Sequence, residues 1–243
     1  KHCQLNMRHT NSMTTLKVLK EYVGSDLGRP SKMPGFAWGI SAKLCKTGSN
    51  LAKIKGSVCH KCYALRGNYL YESVVTSHNN RIAGYDRDNI EWRNAMIELI
   101  GKRIPQDSPE ESKYFRIFDA GDIQSVQMLR DWIFIATQLP DIKFWLPTKE
   151  YRIIRAFNEP IPDNMVVRVS SPNIDQPPLD YAKFTHTSTV HSSHNSEHAN
   201  RDQSGKFRKD VGFTCEAYTR GGKCDTCRAC WDHEIPNVSY PQH

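Results

Sequence analysis

Tyr114-Phe-Arg-Ile-Phe-Asp-Ala-Gly-Asp122 decides how this chain is read. Four apolar or aromatic residues around Arg116 run into a turn of small and acidic ones. This predicts a strand over 114–118 that ends at Asp119. A helix is expected next, at Ser125–Gln138, with Val126, Leu129, Trp132, Ile133 and Ala136 on one face. The unit then recurs. Ile142–Leu146 reads as a strand ending in Pro147-Thr-Lys-Glu150, followed by a short helix at Tyr151–Phe157. Met165–Val169 reads as a strand ending in Ser170-Ser-Pro-Asn173. Upstream, Phe36–Ser41 is a short buried strand, and downstream Lys183–Ser188 is a weaker one. Alternating strands and helices argue for a parallel sheet. Five or six strands fall short of a full barrel, so the expected fold is α/β, a partial or irregular (β/α) barrel.

Further helices are expected at Thr14–Val23, Glu72–Tyr85 and Asn89–Arg103, the last with Ile90, Ile97 and Ile100 on one side. The pattern changes after His186. The expected organisation is a barrel-like catalytic domain over 1–194, carrying a cysteine loop at 42–62. A Cys-rich, metal-bound cap over 195–243 packs on the barrel rim.

Composition narrows the function classes. At 38% hydrophobic residues the chain is too apolar to be disordered. It contains no apolar run of about 18 residues, so no membrane span is expected. Lys1–Thr10 lacks the apolar core of a secretory signal, which favours the cytoplasm.

The chain has eight cysteines, and seven fall into two groups. In a reducing compartment, cysteines two residues apart are metal ligands more often than disulfides, because a tight turn points both thiolates at one ion. Cys224-Asp-Thr-Cys227-Arg-Ala-Cys230 is a double knuckle, with Cys215 as the natural fourth ligand of a closed site. Buried thiols or disulfides are the plainer alternative. Cys59-His-Lys-Cys62 with Cys45 supplies three thiolates, and Cys3 is a candidate fourth. Four ligands make a structural site, whereas three leave the open position that catalysis needs.

Ligands of parallel α/β folds bind at the C-terminal ends of strands. There the sequence places the Cys45 loop, then Asp119, Gly121 and Asp122, then Thr148, Lys149 and Glu150, then Ser170, Ser171 and Asn173. Asp119, Asp122, Lys149 and Ser170 are the candidate catalytic groups. Gly121, Thr148, Ser171 and Asn173 are candidate cofactor contacts. Asp119 reads as the functional carboxylate, and Asp122 more as a cap of the following helix. Lys149 and Glu150 are equally readable as a solvated pair.

The net charge of +7 is unevenly spread. Lys43 to Arg66 holds six Lys or Arg and no acid, with Tyr63, Tyr69 and Tyr71 close by. That combination suits phosphates and stacked bases, so DNA or a nucleotide is the expected partner. A second basic stretch runs from Arg201 through Lys209 to Arg228. His186, His191, His194 and His198 have no clean zinc spacing and read as a solvated loop, while His60 and His233 adjoin the cysteine groups.

Several strings together resemble the bacteriophage gene-product-88-like family. They are Met33-Pro-Gly-Phe-Ala-Trp-Gly39, Cys59-His-Lys-Cys-Tyr-Ala-Leu-Arg-Gly-Asn-Tyr69, Phe115-Arg-Ile-Phe-Asp-Ala-Gly-Asp122, Cys227-Arg-Ala-Cys-Trp-Asp232 and Val238-Ser-Tyr-Pro-Gln-His243. This implies a phage protein made in the cytoplasm of an infected bacterium.

Two more distant resemblances suggest activities. A first strand followed by a three-Cys loop is similar to radical S-adenosylmethionine enzymes. Cys45, Cys59 and Cys62 would then bind a [4Fe–4S] cluster, and Asp119–Asp122 would meet the methionyl amine. The tail cysteines would hold an auxiliary cluster or zinc. Here thirteen residues separate Cys45 from Cys59, where that family usually has three. Asp119-Ala-Gly-Asp-Ile-Gln124 and Leu146-Pro-Thr-Lys149 are similar to segments of zinc-containing guanine transglycosylases, including a phage branch that exchanges guanine in DNA for a deazaguanine. Lys143 stands where the nucleophilic Asp of that family is expected.

The expected function is an iron–sulfur enzyme acting on a nucleotide or DNA base, in DNA modification. The alternatives are a zinc-containing transglycosylase and a non-enzymatic, zinc-stapled nucleic-acid-binding protein.

Overall fold

A computed structural model describes residues 15–181, 183–192 and 212–242. Its centre is a sheet of seven strands, all parallel, in the order β1-β2-β3-β4-β5-β7-β6. The strands are β1 (Phe36–Trp38), β2 (Tyr114–Ile117), β3 (Lys143–Thr148), β4 (Met165–Ile174), β5 (Thr187–His191), β6 (Phe213–Thr214) and β7 (Asn237–Pro241). The expected α/β class with parallel strands is therefore present. β1 and β6 are the sheet's two edges.

Strand side chains alternate between faces, so each strand serves two layers. Phe115, Ile117, Phe144, Leu146, Met165, Val167 and Val169 point into the main core. That core also takes in residues of α1 (Leu16–Val23), α3 (Glu72–Arg87), α4 (Asn89–Arg103), α5 (Val126–Gln138) and α6 (Tyr151–Ala156), so these helices share one face. Trp38, Trp92 and Trp132 are fully buried at its centre and meet edge to face at 5.3–5.5 Å, the arrangement that aromatic quadrupoles favour. α4 turns Trp92, Met96, Leu99 and Ile100 inward. Ile90, expected on that face, is 55% exposed.

The opposite face holds Tyr114, Arg116, Trp145 and Arg168. It is covered by the C-terminal segment. Trp231 packs on Tyr114 and Trp145 at 5.4 and 5.1 Å, and its indole N–H donates to the Phe115 carbonyl at 3.0 Å. Arg168, fully buried, donates to the carbonyls of Ala229, Cys230, Asp232 and Ile235 at 2.9–3.0 Å. The tail, expected as a cap on the rim, supplies β6 and β7 to the sheet and covers the face opposite the helices. Both strands escape notice in the sequence because they are short and polar.

Two other boundaries differ from expectation. β4 runs on through Ser170 to Ile174, and β5 begins at Thr187 instead of Lys183. Cys3, His194, His198 and the basic residues Arg201, Lys206, Arg208 and Lys209 lie outside the described residues.

Candidate functional site

The C-terminal ends of β1 to β4 carry one assembled structure, the loop of Cys45, Cys59 and Cys62. The ends of β2, β3 and β4 each hold it by a different device. At β3, Glu150 is buried and grips the start of α2 (Lys46–Leu51). Its Oε1 accepts from the amides of Lys46 at 2.8 Å and Thr47 at 2.9 Å, and its Oε2 accepts from the Thr47 hydroxyl at 2.8 Å. Beyond β2, the Lys46 ammonium donates to the Gln124 carbonyl at 2.9 Å. At β4, Val58 N–H donates to Pro172 O and Ile174 N–H to Gly56 O. An antiparallel bridge also joins Ser57 to Asn173. The long insertion between Cys45 and Cys59 is thus used: it folds into α2 and a docking turn.

These contacts converge the thiols. A Cβ built on Gly48 would lie 3.7 Å from both Cys45 Sγ and Cys59 Sγ. Burial pushes the Cys45 thiol well above its ordinary range, and the Asp122 carboxylate and the Cys62 and Cys59 thiols add to it. Burial also raises Cys59, with the nearby Lys149 ammonium partly offsetting it.

Asp122 braces the rim from below. One carboxylate oxygen accepts from its own neighbour Ile123 N–H, the other from Lys149 N–H, both at 2.8 Å. Burial raises it to about 6, against the hydrogen bond from Thr148 and those from the Lys149 and Ile123 amides. Its expected role as a helix cap is taken by Ser125, whose hydroxyl accepts from Met128 N–H. Glu150 is likewise no solvated partner of Lys149.

Asp119 occupies the other side of the same turn. Phe118 before it has φ 62°, a left-handed conformation unusual for a buried aromatic, which turns the chain so that Asp119 folds back on β1. A Cβ on Gly39 would come 2.2 Å from Asp119 Oδ1, so the missing side chain there makes room for the carboxylate. Oδ1 is buried with no hydrogen-bond partner. The Asp119 carbonyl accepts from Tyr63 Oη at 2.8 Å and Tyr69 Oη at 3.4 Å. Arg116 donates to Tyr63 Oη and stacks over Trp145. His78 stacks on Tyr69 at 6.1 Å. Arg81 donates to the Gly39 carbonyl. Burial lowers His78, while Asp119 pulls it up and Arg81 pushes it down.

A family model described as gene product 88 matches residues 5–233. The chain belongs to the gene product 88 family. No curated protein and no solved structure gives a significant match.

In this gene product 88 chain, Cys45, Cys59, Cys62, Asp122 and Lys149 come together, with Asp119 on the far side of their turn. Other expected site residues are used internally. Gly121, at φ 80°, packs against Ile40, and Thr148 Oγ1 accepts from Glu150 N–H. Ser170 Oγ bonds Ser188 Oγ at 2.7 Å inside the sheet, and Ser171 Oγ donates to Pro177 O. Asn173 bonds Gln176.

Cys215, Cys224, Cys227 and Cys230 form a separate group that lines one cavity with Phe213, Trp231 and Val238. No described cysteine is disulfide-bonded. Among the described residues, no three His, Cys, Asp or Glu side chains stand ready-made as a metal-holding group. The thiols are gathered without being drawn to coordination distance. Of the histidines, His186 bonds the His233 carbonyl, and His191 is buried against Ser239.

Sequence reading missed Glu150 as the loop's anchor, and also His78, Arg81 and Arg116. The spacing of His78, Arg81 and Tyr85 on one helix face was the available signal: a buried face bearing charge.

Proposed function

We propose that this gene product 88 chain is an iron–sulfur enzyme of the radical S-adenosylmethionine type that modifies a nucleotide or a base in nucleic acid, in the cytoplasm of a phage-infected cell. The observation that carries the reading is the clamping of one three-Cys loop by the C-terminal ends of three neighbouring parallel strands. The donor set fits a cluster: Cys45, Cys59 and Cys62 are the thiols gathered on this loop, with the Asp122 carboxylate and the Lys149 ammonium beside them. Three thiolates leave one iron open.

When bound, such a cluster supplies one electron to S-adenosylmethionine. The chain's own residues do the rest. Cys45, Cys59 and Cys62 ligate. Glu150 keeps Cys45 at the head of α2. Lys149 offsets negative charge beside Cys59. Asp119, across the turn, holds the Tyr63 and Tyr69 hydroxyls of the loop through its carbonyl, with its carboxylate buried over Gly39.

The surface around the loop favours a nucleic-acid substrate. Lys43, Lys46, Lys53, Lys55, Lys61 and Arg66 are exposed there, as are Tyr63 and Tyr71. Cationic side chains neutralise phosphates and exposed rings stack bases. The guanine-exchange alternative lacks a nucleophile on β3. Lys143 lies at the opposite end of that strand, paired with Glu110.

Anaerobic purification, or reconstitution with iron and sulfide, tests the reading. The expected product is brown, holds iron and sulfide, and cleaves S-adenosylmethionine after reduction. Cys59→Ser should be colourless yet folded. Protein that takes up zinc alone sinks the proposal in favour of a zinc-stapled nucleic-acid binder. Nucleoside analysis of DNA from cells expressing the chain then asks which base changes.

A further inference from the structure

The tail cysteines carry a second inference, independent of the rim. We infer that Cys215, Cys224, Cys227 and Cys230 form a closed four-thiolate site for a single zinc-class ion, which staples the first edge of the sheet to the last.

Three observations support it. First, the four side chains line one cavity of about 20 Å³ whose other walls are the side chains of Phe213, Ala217, Arg220, Ala229, Trp231 and Val238. That space holds about one water-sized sphere. It admits one ion drawing thiolates in to about 2.3 Å.

Second, the ligands are anchored to different parts of the sheet. Cys215 N–H donates to Ser239 O of β7 at 2.8 Å, and Cys224 N–H donates to Lys32 O, just before β1, at 2.9 Å. Cys230 is held from β4, since Arg168 Nε donates to its carbonyl at 3.0 Å. An ion joining these four thiolates therefore cross-links β1, β4 and β7 over the face opposite the helices.

Third, the surroundings suit a negatively charged centre. Four thiolates around a divalent ion leave a net charge of two minus. The buried guanidinium of Arg168 is held on the Ala229–Cys230 backbone, and that of Arg228 on the Cys227 carbonyl. Tyr240 Oη lies 3.1 Å from Cys230 Sγ, placed to donate to a ligating thiolate.

The test uses the full chain with Cys45, Cys59 and Cys62 all changed to Ser, which removes the rim thiols. Purified with zinc, this variant should retain one zinc per chain and lose it when Cys224→Ser and Cys227→Ser are added. Cobalt in place of zinc should give the sulfur-to-metal absorption of a tetrahedral four-thiolate site. Should the five-Ser variant fail to fold, alkylation of the rim-less variant decides instead, and zinc should protect all four tail cysteines. No retained zinc, no protection, or iron with sulfide retained in place of a single ion would each overturn the inference. The rim reading is judged separately, by the iron of the wild-type chain.

Discussion

Glu150 holds Thr47 through both its carboxylate oxygens, one to the amide at 2.9 Å and one to the hydroxyl at 2.8 Å. A strand end thereby fixes the helix that begins immediately after Cys45. Glu150→Ala leaves a buried pocket and two part-buried amides without their acceptor. Glu150→Ala should therefore destabilise the chain by about 2 kcal/mol, measured as a lower urea midpoint at unchanged slope. Iron loading should fall with it. Glu150→Gln keeps one acceptor oxygen and should lose less of both.

Gly48 sits where a methyl group would enter the space between Cys45 and Cys59. Gly48→Ala lies in a helix, where Ala is favoured over Gly by up to about 1 kcal/mol. The methyl would also come 3.0 Å from Cys45 Cβ, which opposes that gain, so stability without metal should change by less than about 1 kcal/mol while iron per chain drops sharply. Parallel loss of both would refute the claim that this space is the ligand-binding centre.

Gly39 and Asp119 are coupled by contact. Gly39→Ala forces the Asp119 carboxylate and the Ala120 backbone to move. A cost of about 2 kcal/mol is expected, partly relieved in an Asp119→Ala background. A double-mutant cycle by chemical denaturation measures the coupling. Strict additivity would show that the backbone contact alone sets the cost.

Asp122 gives the pH prediction. Its carboxyl is raised to about 6 from an ordinary 3.8, mainly by burial. The native state therefore holds this proton more tightly than the unfolded chain. Its stabilisation is full below about pH 4 and is lost as pH rises through about 6, at roughly 1.4 kcal/mol per unit of difference. Asp122→Asn should remove that segment of the stability–pH curve. A wild-type curve that rises over this window in the same comparison would refute the assignment.

The basic loop predicts a salt effect. Reversing Lys53, Lys55 and Lys61 to Glu should weaken single-stranded DNA binding and flatten its log–log salt dependence by about 2, near 0.7 per lost phosphate contact. Fluorescence anisotropy across a salt series reads the slope.

The residues by themselves determined the local chemistry. Apolar runs ending in small and acidic turns announced β2, β3 and β4, and their alternation with helices announced a parallel sheet, because side-chain period and turn composition are local properties. The two cysteine groups were legible for the same reason: two-residue gaps are local geometry. Only the tertiary structure decided which polar residues at the strand ends are free to act. Ser170 and Ser171 look available in the sequence, yet they lie inside an extended β4 whose neighbours satisfy them. Glu150 looks solvated, yet it is buried where it accepts from an amide pair 104 and 103 residues away. The tail reads as a cap, yet it becomes β6 and β7, since short polar strands are stabilised by their neighbours' open hydrogen bonds and carry little signal of their own. Burial and long-range pairing belong to the folded chain, and they separate the residues that build the rim from those that remain open to a ligand.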